Sequence, residues 1–193
     1  MIDDVLNDVK ERGKKMRIEK EDSLLLVVDI QEKLFPHIEN NAMLAKKIVM
    51  LIEGIKALDV SRMAARQYPR GLGNSIGEVQ TYFDEYHDKM TFSCADDEAL
   101  LDCLRKTGKK NIIITGIEAH ICVLQTAIDL KALGFVPIVV VDAVGSRENS
   151  DYQIALKRMQ HEGVILTTVE AVLFELCRQA GTDAFKTISR LVK

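Results

Sequence analysis

The chain has no tryptophan, only three prolines and an aromatic content of 5%, so it lacks the ring platforms on which single-stranded nucleic acids stack. Charge of one sign is also missing. The 26 Lys and Arg stand against 29 Asp and Glu, a formal net charge of -3, which offers no bulk attraction to a polyanion. No nucleic-acid partner is therefore expected. No apolar run approaches the roughly 20 residues that span a bilayer, and the first residues, MIDDVLNDVKERGKKMRIEKED, hold no apolar stretch of the secretory kind. No membrane partner is expected either. The four cysteines, Cys94, Cys103, Cys122 and Cys177, form no C-x-x-C pair, which fits free thiols in a reducing cytoplasm.

What is present is an alternation of continuous apolar runs with amphipathic stretches over 193 residues, enough for one domain with a sizeable core. Ser23 to Val28 is an apolar run ending at Asp29. Asn41 to Leu58 carries Leu44, Ile48, Leu51, Ile52 and Ile55 at helical spacing. Val60 to Gln67 is a weaker strand candidate, interrupted by Arg62 and Arg66. A helix is expected to open at Asp96-Asp97-Glu98 and to stop near Thr107-Gly108. Ile112-Ile113-Ile114 and Val136 to Val141 read as further buried strands, the second ending at Asp142. Asp151 to His161 reads as a helix, Val164 to Thr168 as a strand, and Val169 to Ala180 and a segment from about Asp183 as the closing helices. Strands buried on both faces and alternating with helices predict an α/β fold: a three-layer α/β/α sandwich around a doubly wound, mainly parallel sheet. The expected division is a charged helical extension over 1–20 and one domain over 21–193. In such a sheet, sites form beyond the carboxyl ends of strands, where Asp29, Gly116 and Asp142 fall.

Cys122 follows Gly116 by six residues, and Val123, Ala127 and Leu130 then recur at helical spacing. A strand, a tight turn and a helix opening on cysteine would place a thiol among free N–H groups, which favour thiolate and can hold an oxyanion. A nucleophile needs a proton acceptor, for which Asp29 is the leading candidate, although it could also merely cap the next helix. It needs a positive partner as well. Lys89 is the candidate, but spacing alone does not select it among the lysines. Cys94, Cys103 and Cys177 read as buried small side chains. His120 reads as pocket wall or surface, and Asp142 as turn or cap.

These residues stand in motifs. The chain resembles the isochorismatase-like cysteine hydrolases through D-x-Q after the first strand (Asp29, Gln31), a central lysine followed by Phe92 and Ser93, and G-[IV]-x-x-x-x-C-V (Gly116 to Val123). Within that superfamily it is similar to the isochorismatase domain-containing proteins, which show QYP-x-GLG, GIEA-x-x-C and VVVDA-x-x-SR. Gln67 to Gly73, Gly116 to Cys122 and Val139 to Arg147 match these. The resemblance runs from Ser23 to Lys193. It implies a catalytic set of Asp29 as general base and acid, Lys89 supporting the thiolate, and Cys122 as nucleophile. It also implies an oxyanion hole from the backbone N–H groups of Glu118 and Cys122, a cis peptide between Ile117 and Glu118, and a homo-oligomer, dimer or larger. Gln31, Phe35, Tyr68, Phe92 and Ala119 are the expected lining of the substrate pocket. The nicotinamidase branch binds a metal through an Asp and two His between the first strand and the lysine. Here that interval holds only His37 and His87, with Arg66 to Arg70 where D-x-H would stand, so no metal and no cofactor are expected. The implied activity is cleavage of a C–N bond in a small amide or ureido compound through a thioester. The alternatives are a regulatory member that only binds, or a redox-sensing thiol protein.

Overall fold

The computed structural model describes residues 17–193. All but the last four residues of the expected N-terminal extension lie outside them. The described chain is packed from Ile18 on: that side chain is buried and its N–H donates to Glu175 Oε1 at 2.9 Å.

Six strands form one sheet: β1 (Ser23–Val28), β2 (Ser61–Gln67), β3 (His87–Lys89), β4 (Asn111–Ile117), β5 (Val136–Gly145) and β6 (Ile165–Thr167). Their order is β3-β2-β1-β4-β5-β6, with every neighbouring pair parallel. The major helices are α1 (Asn41–Ala57), α2 (Glu98–Lys106), α3 (Leu124–Ala132), α4 (Asn149–His161), α5 (Val169–Cys177) and α6 (Asp183–Leu191). Side chains alternate across each strand, so the apolar runs feed two cores. Leu25, Val27, Ile113, Ile138 and Val140 face α1, α5 and α6. Leu24, Leu26, Val28, Ile112, Ile114 and Val139 face α2, α3 and α4.

The element ends follow local chemistry. Asp97 caps α2 by accepting from Leu100 N at 3.0 Å, and Gly108, at φ +67°, lets the chain leave that helix. Gly116 sits where β4 meets β1 so closely that a Cβ would lie 2.0 Å from the Val28 carbonyl oxygen. At φ +128° the position also suits glycine's backbone freedom.

Two expectations need revision. The strand read as ending at Asp142 runs on to Gly145: pairing with β4 shifts register after Ile114–Val139 and resumes at Gly116–Val144. Asp142 sits in that irregular stretch. Its Oδ1 accepts from Val169 N at 2.7 Å, which caps α5. The helix expected to open on Cys122 opens earlier. A π-helical turn over Ala119–Val123 precedes α3, with Glu118 as its N-cap residue.

Candidate active site

The strand order reverses between β1 and β4, the place where an open parallel sheet leaves a crevice at its carboxyl edge. Asp29 leaves β1 on one side of that crevice and the turn bearing Cys122 leaves β4 on the other. Lys89 closes β3 two strands away, and Gln67 is its register partner on β2.

Lys89 is only 1% exposed. Its Nζ donates to Asp29 Oδ2 at 2.7 Å, Gln67 Oε1 at 2.8 Å, Phe92 O at 3.0 Å and Thr91 O at 3.1 Å. An ammonium has three protons, so these four acceptors saturate it. Burial pulls its pKa down, the charge of Asp29 pulls it up, and the net shift is upward. Lys89 is a fixed cation.

Asp29 is fully buried and holds a left-handed backbone, φ 53°, with its N–H on Ala65 O at 3.1 Å. Tyr68, at the end of β2, is left-handed too, at φ 38°. Strained non-glycine residues of this kind concentrate at functional sites. Asp29 Oδ1 is a buried side-chain oxygen without a conventional hydrogen-bond partner among the described residues. Burial raises the Asp29 pKa more than Lys89 lowers it, and the Cys122 thiol acts on the same carboxyl.

Cys122 is 6% exposed. Its thiol pKa is raised, first by burial and then by the Asp29 charge, against a smaller lowering by Lys89. The helix N-terminus was expected to favour thiolate; the carboxylate beside the sulfur and the loss of water act in the opposite sense and favour the thiol. The Glu118 carbonyl accepts from Ile121 N at 3.1 Å and from Val123 N at 3.2 Å; the Cys122 N–H between them is not among its donors. The Ile117–Glu118 peptide is cis. Cys94 is buried in the same cluster as Cys122, with its N–H on Thr126 Oγ1 at 2.9 Å, and burial pushes its thiol up to about 12.

The remaining pocket candidates divide. Ala119 is buried with Cys122 in one cluster. Tyr68 and Phe92 are exposed, as is Met90, which the sequence did not single out. Phe35 packs into the core on the α1 side, away from the Cys122 cluster, because the turn after β1 directs it to that layer. Gln31 is spent on main chain: Nε2 donates to Gln67 O at 3.0 Å and Gly73 O at 2.9 Å, and Oε1 accepts from Gln67 N at 2.7 Å. It ties the β1 and β2 exits together. Gln67 was the residue missed. Its Oε1 holds Lys89 while its Nε2 donates to Met90 O at 2.8 Å. Its signal was its place in QYP, beside Tyr68. Among the described residues no group of three or more His, Cys, Asp or Glu is arranged to hold a metal. His120 is held at the rim, its Nδ1 2.9 Å from Ser146 Oγ.

The fold is a parallel three-layer α/β/α sandwich with an acid, an ammonium and a thiol near its switch point, and the family it matches supports a hydrolase role. The chain belongs to the isochorismatase family. The Isochorismatase domain model matches residues 23–171. It is 34% identical over 177 residues to isochorismatase domain-containing protein 2 of Danio rerio, covering 91% of this chain and 89% of that protein. A Caenorhabditis elegans structure described as MAR1 ribonuclease is 36% identical with a TM-score of 0.85, covering 92% of each chain. The YcaC structure from Escherichia coli, described as an octameric hydrolase of unknown specificity, is 25% identical with a TM-score of 0.88, covering 93% of this chain and 90% of that one.

Proposed function

We propose that the protein is a metal-independent cysteine hydrolase that cleaves a C–N bond of a small amide or ureido compound through a thioester on Cys122. The observation that carries this reading is the buried Asp29 carboxyl: Lys89 fixes its Oδ2, its Oδ1 has no hydrogen-bond partner among the described residues, and the Cys122 thiol acts on the same carboxyl.

Asp29 takes the thiol proton as Cys122 Sγ bonds to the acyl carbon. The carbonyl oxygen becomes an oxyanion, held by the N–H groups of Glu118 and Cys122. The protonated Asp29 gives its proton to the leaving nitrogen, the C–N bond breaks, and an amine departs. Water then gives a proton to Asp29 and adds its oxygen to the thioester. The C–S bond breaks and Asp29 reprotonates the sulfur. Amide and water yield acid and amine, with protons and electron pairs balanced and no cofactor needed. Lys89 keeps the buried carboxyl anchored throughout, and Ala119, Tyr68 and Phe92 border the substrate. The exposed side chains of Tyr68, Met90 and Phe92 and the octameric assembly named for YcaC support a homo-oligomer, and the free thiols support a reducing, cytoplasmic setting.

A panel of small amides and ureido compounds, assayed for released ammonia or amine with chelator present, tests the reading. Turnover by the wild type that is lost in Cys122→Ala supports it. Turnover that survives in Cys122→Ala, or that chelator removes and a divalent ion restores, overturns it. The description of the C. elegans relative brings in ribonuclease activity as a second reading. The net charge of -3 and the 5% aromatic content weigh against an RNA platform. Cys122-dependent cleavage of RNA with no amide turnover would establish that second reading in place of the first.

A further inference from the structure

The VVVDA-x-x-SR segment ends at Arg147, a residue that the reaction above does not use. Gly145 pairs with Ile117 across the sheet edge, which sets Ser146 and Arg147 beside Glu118. Two donors of Arg147 then converge on one oxygen: its main-chain N–H reaches Glu118 Oε2 at 3.2 Å and its Nε reaches the same atom at 3.1 Å. His120 Nδ1 stands 4.0 Å from that oxygen and is itself held by Ser146 Oγ. The Glu118 side chain is almost fully buried, whereas that of Arg147 is 57% exposed. A buried carboxylate is therefore gripped from the β5–α4 loop by a residue that reaches in from solvent.

Glu118 is not a free agent. It is the N-cap residue of the turn that carries Cys122, and its carbonyl anchors Ile121 and Val123. Charge-assisted bonds of the kind made by Arg147 are directional and stronger than neutral ones. An oxyanion donor contributes only when it is already aimed at the place where the charge will appear.

We propose that Arg147 is a positioning residue for acyl transfer: by clamping the Glu118 carboxylate it orients the Glu118 N–H toward the developing oxyanion. This rests on the oxyanion hole assigned under the proposed function. Arg147 touches no reacting atom. It acts through Glu118, so its loss impairs steps that build an oxyanion and spares those that do not.

Two probes of Cys122 separate these cases. Acylation by p-nitrophenyl acetate passes through a tetrahedral oxyanion; alkylation by iodoacetamide does not. Both rates are read by intact-mass spectrometry on wild type, Arg147→Ala, Arg147→Lys, Glu118→Ala and the Arg147→Ala/Glu118→Ala double variant, with thermal melting as a check on folding. Because the hole is misaligned and not deleted, Arg147→Ala is expected to slow acylation about tenfold, below the 10²–10³ typical of a removed donor. Alkylation should stay within about twofold, Arg147→Lys should recover part of the loss, and the double variant should be no slower than Glu118→Ala alone, the coupling expected of residues that act as a unit. An unchanged acylation rate in Arg147→Ala overturns the proposal. So does an equal fall in both rates together with lowered melting, which marks a merely structural residue. If wild type is not acylated on Cys122 at all, the proposed function itself fails, and the clamp fails with it.

Discussion

At Asp29 burial raises the carboxyl pKa while Lys89, 2.7 Å away, lowers it, and burial prevails. The carboxylate in turn helps to hold the Cys122 thiol up. Asp29→Asn should therefore move two measurements in opposite directions. Turnover should fall about 10²-fold or more, the scale of general acid–base catalysis. Iodoacetamide alkylation of Cys122 near neutral pH should rise by roughly tenfold, since one pKa unit is a common effect of a neighbouring charge. The linkage has a definite sign as well. Folded Asp29 keeps its proton to a higher pH than the unfolded chain does, so its contribution to stability falls as pH rises from the ordinary value of 3.8 through the raised one, and Asp29→Asn should lack that slope in pH-dependent urea melts. Lys89→Met leaves a buried charge unpaired and should cost about 3–5 kcal/mol in urea denaturation. It should also slow neutral-pH alkylation, because Lys89 is the group that lowers the Cys122 pKa. At this scale the motifs made Asp29, Lys89 and Cys122 legible. Gln67 and Phe35 were not legible as they stand, for physical reasons. The grip of Gln67 on Lys89 exists only once β2 and β3 pair, and nothing in the local pattern around Phe35 states which face of the sheet it enters.

Among the elements, those that could be read were the ones whose burial is written as periodicity. Ser23–Val28 is an uninterrupted apolar run, and α1 repeats its apolar residues at helical spacing. β3 has neither signal: its residues are His87, Asp88 and Lys89, and only pairing with β2 makes them a strand. β5 was read short because Asp142 breaks its apolar run, although the backbone recovers its partner at Val144. Capping predicts the consequence. Asp142→Ala should cost about 1 kcal/mol in chemical denaturation, the usual worth of a cap on a helix end such as that of α5. Gly116→Ala should cost more, since its Cβ would lie 2.0 Å from backbone that belongs to the sheet centre. A reduced denaturation midpoint with an unchanged slope would mark lost stability in a fold that is otherwise kept. An Ala variant at Gly116 as stable as wild type would mean that β1 and β4 are not in the close register described.

For the whole molecule, the order of strands matters more than their number. Alternating elements imply a parallel sheet, but no local pattern states that β1 and β4 are neighbours. It is that adjacency, with β2 and β3 alongside, that gathers residues distant in the chain into one buried cluster. The motifs supplied through resemblance what periodicity could not. Covalent capture of a substrate acyl group on Cys122 is the central claim, and intact-protein mass spectrometry of a rapidly quenched reaction tests it most directly. With an amide substrate from the panel in excess, the wild type should gain the mass of the acyl group. Peptide mapping should place it on Cys122, and hydroxylamine should release it as a thioester. No such adduct should form in Cys122→Ala. Turnover with the acyl group found on another residue, or turnover undiminished in Cys122→Ala, would contradict the account.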